Sequence, residues 1–99
     1  MGEIKKSTVK NGRSFGEVWS CITSLEGSEF QQVRGQKFTY TVVEGYIIPN
    51  TTKIRILKSY FEKAWNRMPV SGPGELQDLI APSYLFAILK DPRIYGDLR

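Results

Sequence analysis

Apolar residues recur along this chain with two different periods, and the switch between them marks out the elements. Phe15, Val18, Trp19, Ile22 and Leu25 return at three- and four-residue intervals, the spacing of one helical face, and predict a helix over residues 15–26. Ser14 and Glu17 form a capping-box pattern at its start: the serine oxygen can accept a free N–H of the first turn, and the glutamate can accept the cap's own N–H. Gly27 supplies a left-handed residue to end it.

From residue 30 the period shortens to two. Phe38, Tyr40 and Val42 alternate with Lys37, Thr39 and Thr41, as a half-buried antiparallel strand requires. Glu44-Gly45 is a tight-turn signal, after which Tyr46, Ile47 and Ile48 run back alongside. Pro49-Asn50-Thr51-Thr52 interrupts, and residues 53–57 resume as a further short strand. The meander has three strands, or four if the weaker signal at residues 30–33, closed by Arg34-Gly35-Gln36, also forms.

The helical period returns at residue 59. Ser59 and Glu62 repeat the capping-box pattern, Phe61, Ala64, Trp65 and Met68 supply the buried stripe, and Pro69 stops the helix. Residues 75–80 predict a short helix with Leu76, Leu79 and Ile80 turned inward. Residues 83–90 predict a third, with Leu85, Ile88 and Leu89 inward, closed by Asp91-Pro92. The order gives an α+β fold: an N-terminal helix, a three- to four-stranded antiparallel meander, then two or three C-terminal helices in a two-layer domain. Residues 14–99 read as one domain, preceded by a basic N-terminal arm, residues 1–13, that holds Lys5, Lys6 and Lys10.

Composition narrows the chemistry. Ninety-nine residues, 40% hydrophobic and 24% charged, build one modest core and leave function to the surface. The chain contains no histidine and a single cysteine, which excludes histidine-based nucleophilic and general-base machinery, mixed Cys/His zinc sites and an internal disulfide. Cys21 reads as a partly buried structural thiol in a reducing compartment. No apolar run suits a signal peptide or a membrane span, so a cytoplasmic location is expected. Met1-Gly2 lacks the Ser or Thr at position 6 that a myristoylation signal wants, and Asn50-Thr51-Thr52 reads as a turn rather than a glycosylation site.

The net charge of +4 is unevenly spread: the first helix is acidic, whereas the arm and the strands are basic. If Lys37, Thr39 and Thr41 share a side with Lys53 and Arg55, the sheet presents cations and hydroxyls suited to phosphate. Tyr60, Lys63 and Arg67 add a line of one aromatic and two cations on the second helix. Nucleic acid is therefore one expected partner, through Lys37, Lys53, Arg55, Tyr60, Lys63 and Arg67. A plainly solvated face carrying lysine for solubility is the alternative for the same residues.

Two tryptophans, five tyrosines and five phenylalanines are more than a small core absorbs. Tyr46, Tyr84, Phe86 and Tyr95 are the candidates left over, and they point to a homo-oligomer or another protein contact. The remaining motifs are weak. A helix-turn-helix, with Ser83, Tyr84, Phe86 and Lys90 on its reading helix, would need too long a turn between Pro69 and Pro82. Gly72-Pro73-Gly74 lacks the residues of a phosphate-binding loop, and Ser83 reads as a helix cap. Glu75 and Asp78 have no second acidic cluster to make a metal site. A histidine-free ribonuclease built on Tyr60, Lys63 and Arg67 lacks a base. The expectation is a small non-enzymatic binding module without cofactor or metal.

Overall fold

A computed structural model describes residues 13–96. The first helix, α1 (Phe15–Ser24), starts where its capping box predicts: Glu17 N–H donates to Ser14 Oγ (3.3 Å), and Ser14 N–H donates to Glu17 Oε1 (3.0 Å). Val18 and Ile22 are fully buried, while Phe15, Trp19, Cys21 and Leu25 are half-buried at the margin of the core. Gly27 takes the left-handed conformation expected of it, at φ 84°.

The strands are β1 (Phe30–Gln31), β2 (Lys37–Phe38), β3 (Tyr40–Val43), β4 (Tyr46–Pro49) and β5 (Ile56–Leu57), antiparallel throughout. The alternation over residues 37–43 holds as burial, since Phe38 and Tyr40 are buried while Lys37 and Thr41 are exposed. The ladder nevertheless breaks at Thr39, whose N–H donates to Asn50 Oδ1 (2.9 Å) and whose carbonyl accepts Asn50 N–H (2.9 Å). One asparagine side chain thus takes the place of a ladder partner, and the meander becomes a two-stranded sheet, β1–β2, and a three-stranded sheet in the order β3–β4–β5.

The free edge of β3 is closed by the end of α1. Gly27 N–H donates to the Tyr40 carbonyl (3.0 Å), and Val42 N–H donates to Glu26 Oε2 (2.9 Å). Tyr40 crosses from the sheet into the core, where its hydroxyl donates to the Ile22 carbonyl (2.6 Å). Burial pushes the pKa of this phenol well up, with Arg93 partly offsetting it, so Tyr40 stays neutral and a donor.

Helix α2 (Lys58–Trp65) departs from the expectation at its start. Lys58 N–H donates to the Gly45 carbonyl (2.9 Å), and the extended residue before the helix is Leu57, which makes no side-chain cap. Ser59 therefore already lies inside the first turn, where a capping role is closed to it, and the Ser59–Glu62 box does not form. The stripe itself is as read: Phe61, Ala64, Trp65 and Met68 are buried.

A 3₁₀ turn (Pro73–Leu76) replaces the short helix expected over residues 75–80. Leu76 and Leu79 are buried, but the chain does not stay helical past Leu76, and Ile80 is turned outward at 40% exposure. Helix α3 (Pro82–Leu89) is the centre of the fold. Leu85, Phe86, Ala87, Ile88 and Leu89 are all buried, because α2, β1, the 3₁₀ turn and α4 (Pro92–Tyr95) surround it. Asp91 caps α4 by accepting from Arg93 N–H (2.9 Å). Arg93 also donates to the Glu29 carbonyl (2.9 Å) and lies 4.4 Å from the centre of the Phe30 ring, joining the C-terminal helix to β1. Among the described residues no helix is long and apolar enough to cross a membrane.

Candidate functional site

The cations expected to form one phosphate-binding face have different partners. Lys37 sits on the two-stranded sheet and pairs with Glu29 at 3.4 Å. Arg67 lies beyond the end of α2, so the line Tyr60, Lys63, Arg67 is broken: Arg67 donates twice to Asp78 (2.5 and 2.6 Å) and once to the Glu75 carbonyl. That fork holds the Asp78 carboxyl at about 2, below its usual 3.8. Glu75, the other acid considered for a metal site, accepts from the Ser71 hydroxyl and backbone, which lowers its pKa. The described residues contain no grouping of three or more potential metal ligands.

Two of the remaining cations lie over aromatic rings. Arg55 is 5.5 Å from the centre of Tyr46, and Lys63 is 5.5 Å from that of Tyr60. Lys58, which the sequence did not single out, sits over Trp19 at 5.8 Å. Lys53 is exposed between β4 and β5. None of Lys53, Arg55, Lys58 and Lys63 has a carboxylate partner among the described residues. Lys5, Lys6 and Lys10 lie outside the described residues.

The aromatics expected to be left over also divide. Phe86 is 7% exposed and belongs to the core, which corrects its placement at the surface; five consecutive apolar residues, 85–89, were the signal that α3 is covered all round. Tyr84 is half-buried, edge-on to Phe38 at 4.9 Å, with its hydroxyl 2.5 Å from Thr51 Oγ1. Tyr95 packs edge-on to Trp65 at 5.4 Å. Tyr46 alone of the four lies on an open sheet face.

Register defines that face. Tyr46 stands opposite Val43 on one side and Leu57 on the other, and Ile48 stands opposite Thr41. Directly opposed residues share a face, and Tyr40, Ile47 and Ile56 occupy the buried one. The outward face therefore carries Val43, Tyr46 and Leu57 in one row and Thr41 and Ile48 in the next, with the Arg55 guanidinium over the Tyr46 ring. Val43 and Leu57 are 36% and 44% exposed, whereas Tyr46 and Ile48 are half-buried. Glu44, exposed in the β3–β4 turn, follows Val43 directly, and the Arg55 guanidinium lies over the Tyr46 ring. The sequence did not identify Val43, Ile48 or Leu57, although Tyr46-Ile47-Ile48 is an apolar run without alternation and so puts apolar residues on both sides of β4.

No family model, no curated protein and no solved structure matches the chain.

Proposed function

We propose that this chain is a small, non-enzymatic interaction module that associates with a second copy of itself through the outward face of its three-stranded sheet. The observation that carries the reading is the apolar row Val43, Tyr46, Leu57 with Ile48 behind it, facing solvent on a sheet whose other side already holds the core. Strands apolar on both faces belong to sheets covered on both faces. The β3 edge is occupied by Glu26 and Gly27 and β5 is only two residues long, so the face, rather than an edge, is what remains for contact.

Charge supports a second copy as the occupant. Glu44 follows Val43 at the turn end of the row and Arg55 lies over Tyr46, so the row carries one charge of each sign and a two-fold axis lying along the face can set Glu44 of each copy against Arg55 of the other. Sedimentation equilibrium on charge-reversed chains tests this arrangement. Glu44→Arg and Arg55→Glu should each weaken association about tenfold, and the double reversal should restore most of it. Single reversals that leave the mass unchanged, or a double that behaves as the sum of two losses, would refute the pairing.

A nucleic-acid surface is the second reading, favoured by Lys53, Arg55, Lys58 and Lys63 lying in one segment without carboxylate partners among the described residues. Its mark is affinity for duplex or single-stranded nucleic acid that falls steeply with salt, read by fluorescence anisotropy, and that drops further in Lys53→Glu. Absence of binding at low salt removes it.

A further inference from the structure

A cleft of about 420 Å³ opens between the β1–β2 loop and the start of α3, and none of its lining residues belongs to the three-stranded sheet. Its walls are Gln32, Val33, Arg34 and Gln36 from the loop, Pro73 from the 3₁₀ turn and Ser83 from α3. The walls have fixed positions: Gln32 N–H donates to the Gln36 carbonyl (2.8 Å) and Gly35 N–H to the Gln32 carbonyl (2.8 Å), closing the loop on itself, while α3 packs against β1. The volume lies in the range of small-molecule sites and well above what a single inorganic ion fills.

The lining has one sign of charge. Arg34 supplies a guanidinium with no carboxylate partner among the described residues, and no carboxylate lines the cleft. Two carboxamides and a hydroxyl surround it with further hydrogen-bonding groups, and Val33, 62% exposed, adds an apolar wall that an inorganic ion would not use. A guanidinium fork matches an oxyanion in two parallel hydrogen bonds, and neutral amides flanking it read the polar atoms next to that oxyanion.

From these features we infer that the cleft binds a small organic oxyanion, a carboxylate or a phosphate ester, with Arg34 on the charged end, Gln32, Gln36 and Ser83 on the adjoining polar atoms and Val33 on the carbon skeleton. The site shares no residue with the sheet face, so the proposal does not rest on self-association. It is open to solvent, which sets the expected affinity in the millimolar range or somewhat tighter rather than at that of an enclosed pocket.

The test is an amide-resolved NMR titration of the full chain with citrate, phenyl phosphate and inorganic phosphate, at ionic strength held constant with sodium chloride. The expected result is saturable shifts at Gln32, Val33, Arg34, Gln36 and Ser83 with at least one of the two organic anions. Arg34→Gln should weaken that binding about tenfold or more while the remaining amide spectrum stays that of the folded chain, and Ser83→Ala should weaken it less. Preference between citrate and phenyl phosphate decides which oxyanion the cleft takes. No saturable shift with either organic anion, equal response to inorganic phosphate alone, or shifts unaffected by Arg34→Gln would overturn the inference.

Discussion

Tyr40 shows how much one side chain settles in so small a core. It fills the space between sheet and helix and gives its hydroxyl to the Ile22 carbonyl, so a polar group is buried with its partner rather than without one. Tyr40→Phe should cost about 1–2 kcal/mol of unfolding free energy in urea melts, because it removes that donor while keeping the ring. Gly96 is as constrained: its φ is 79°, and a Cβ there would run into the Arg13 side chain, which itself donates to Cys21 Sγ. Gly96→Ala should destabilise by about 1 kcal/mol or more. The Asp78 carboxyl, held down by Arg67, should titrate near 2 when followed by its carbon chemical shift, and Arg67→Ala should return it toward 3.8. Because the folded value is the depressed one, whatever the pair contributes is complete above about pH 4 and is lost as pH falls through 2. A carboxyl that titrates normally in the wild-type chain would deny the fork in solution. Neither the Arg67–Asp78 pair nor the Tyr40–Ile22 bond is readable from spacing, since both join residues brought together only by the loops between them.

At the scale of elements, two identical-looking signals had opposite outcomes. Ser14-x-x-Glu17 and Ser59-x-x-Glu62 are the same pattern, yet only the first caps a helix. The difference lies at the start of each helix: Ser14 is itself the extended residue before α1, whereas β5 delivers Lys58 to the Gly45 carbonyl and starts the helix two residues before a Ser59 cap would. Ser14→Ala should therefore cost about 1 kcal/mol and Ser59→Ala a few tenths at most, compared in parallel denaturant melts. Equal losses would contradict the geometry at the start of α2. The helical stripes and the strand alternation were legible because each depends on period alone, as with Val18 and Ile22 or Phe38 and Tyr40. The break of the meander at Thr39 was not, since it turns on one side-chain amide, that of Asn50, reaching eleven residues back. Residues 75–80 misled for a similar reason: Leu76 and Leu79 have helical spacing, but a single 3₁₀ turn is enough to bury both, and Ile80 then points away.

At the scale of the whole molecule, several of the cations and most of the aromatics that the sequence left for the surface have partners inside the chain. Lys37 and Arg67 face carboxylates, Arg55 and Lys63 cover tyrosine rings, Phe86 is core, and Tyr84 and Tyr95 pack on Phe38 and Trp65. Among the exposed aliphatics, Val43 and Leu57 stand together, flanking Tyr46 on a sheet face that composition alone could not orient. The candidate site was therefore legible at Tyr46, Thr41 and Arg55; the apolar residues around them became visible once the register placed them on one side. If the face is self-complementary, the melting temperature should rise with protein concentration, since association stabilises the folded chain by mass action. The central claim is tested most directly by light scattering over a concentration series, with the wild type beside Leu57→Glu. The account predicts a wild-type mass that climbs toward twice the 11.3 kDa of one chain and a folded variant that stays at one chain mass. A wild type that remains at one chain mass up to millimolar concentration, or a Leu57→Glu variant that associates just as well, would contradict it.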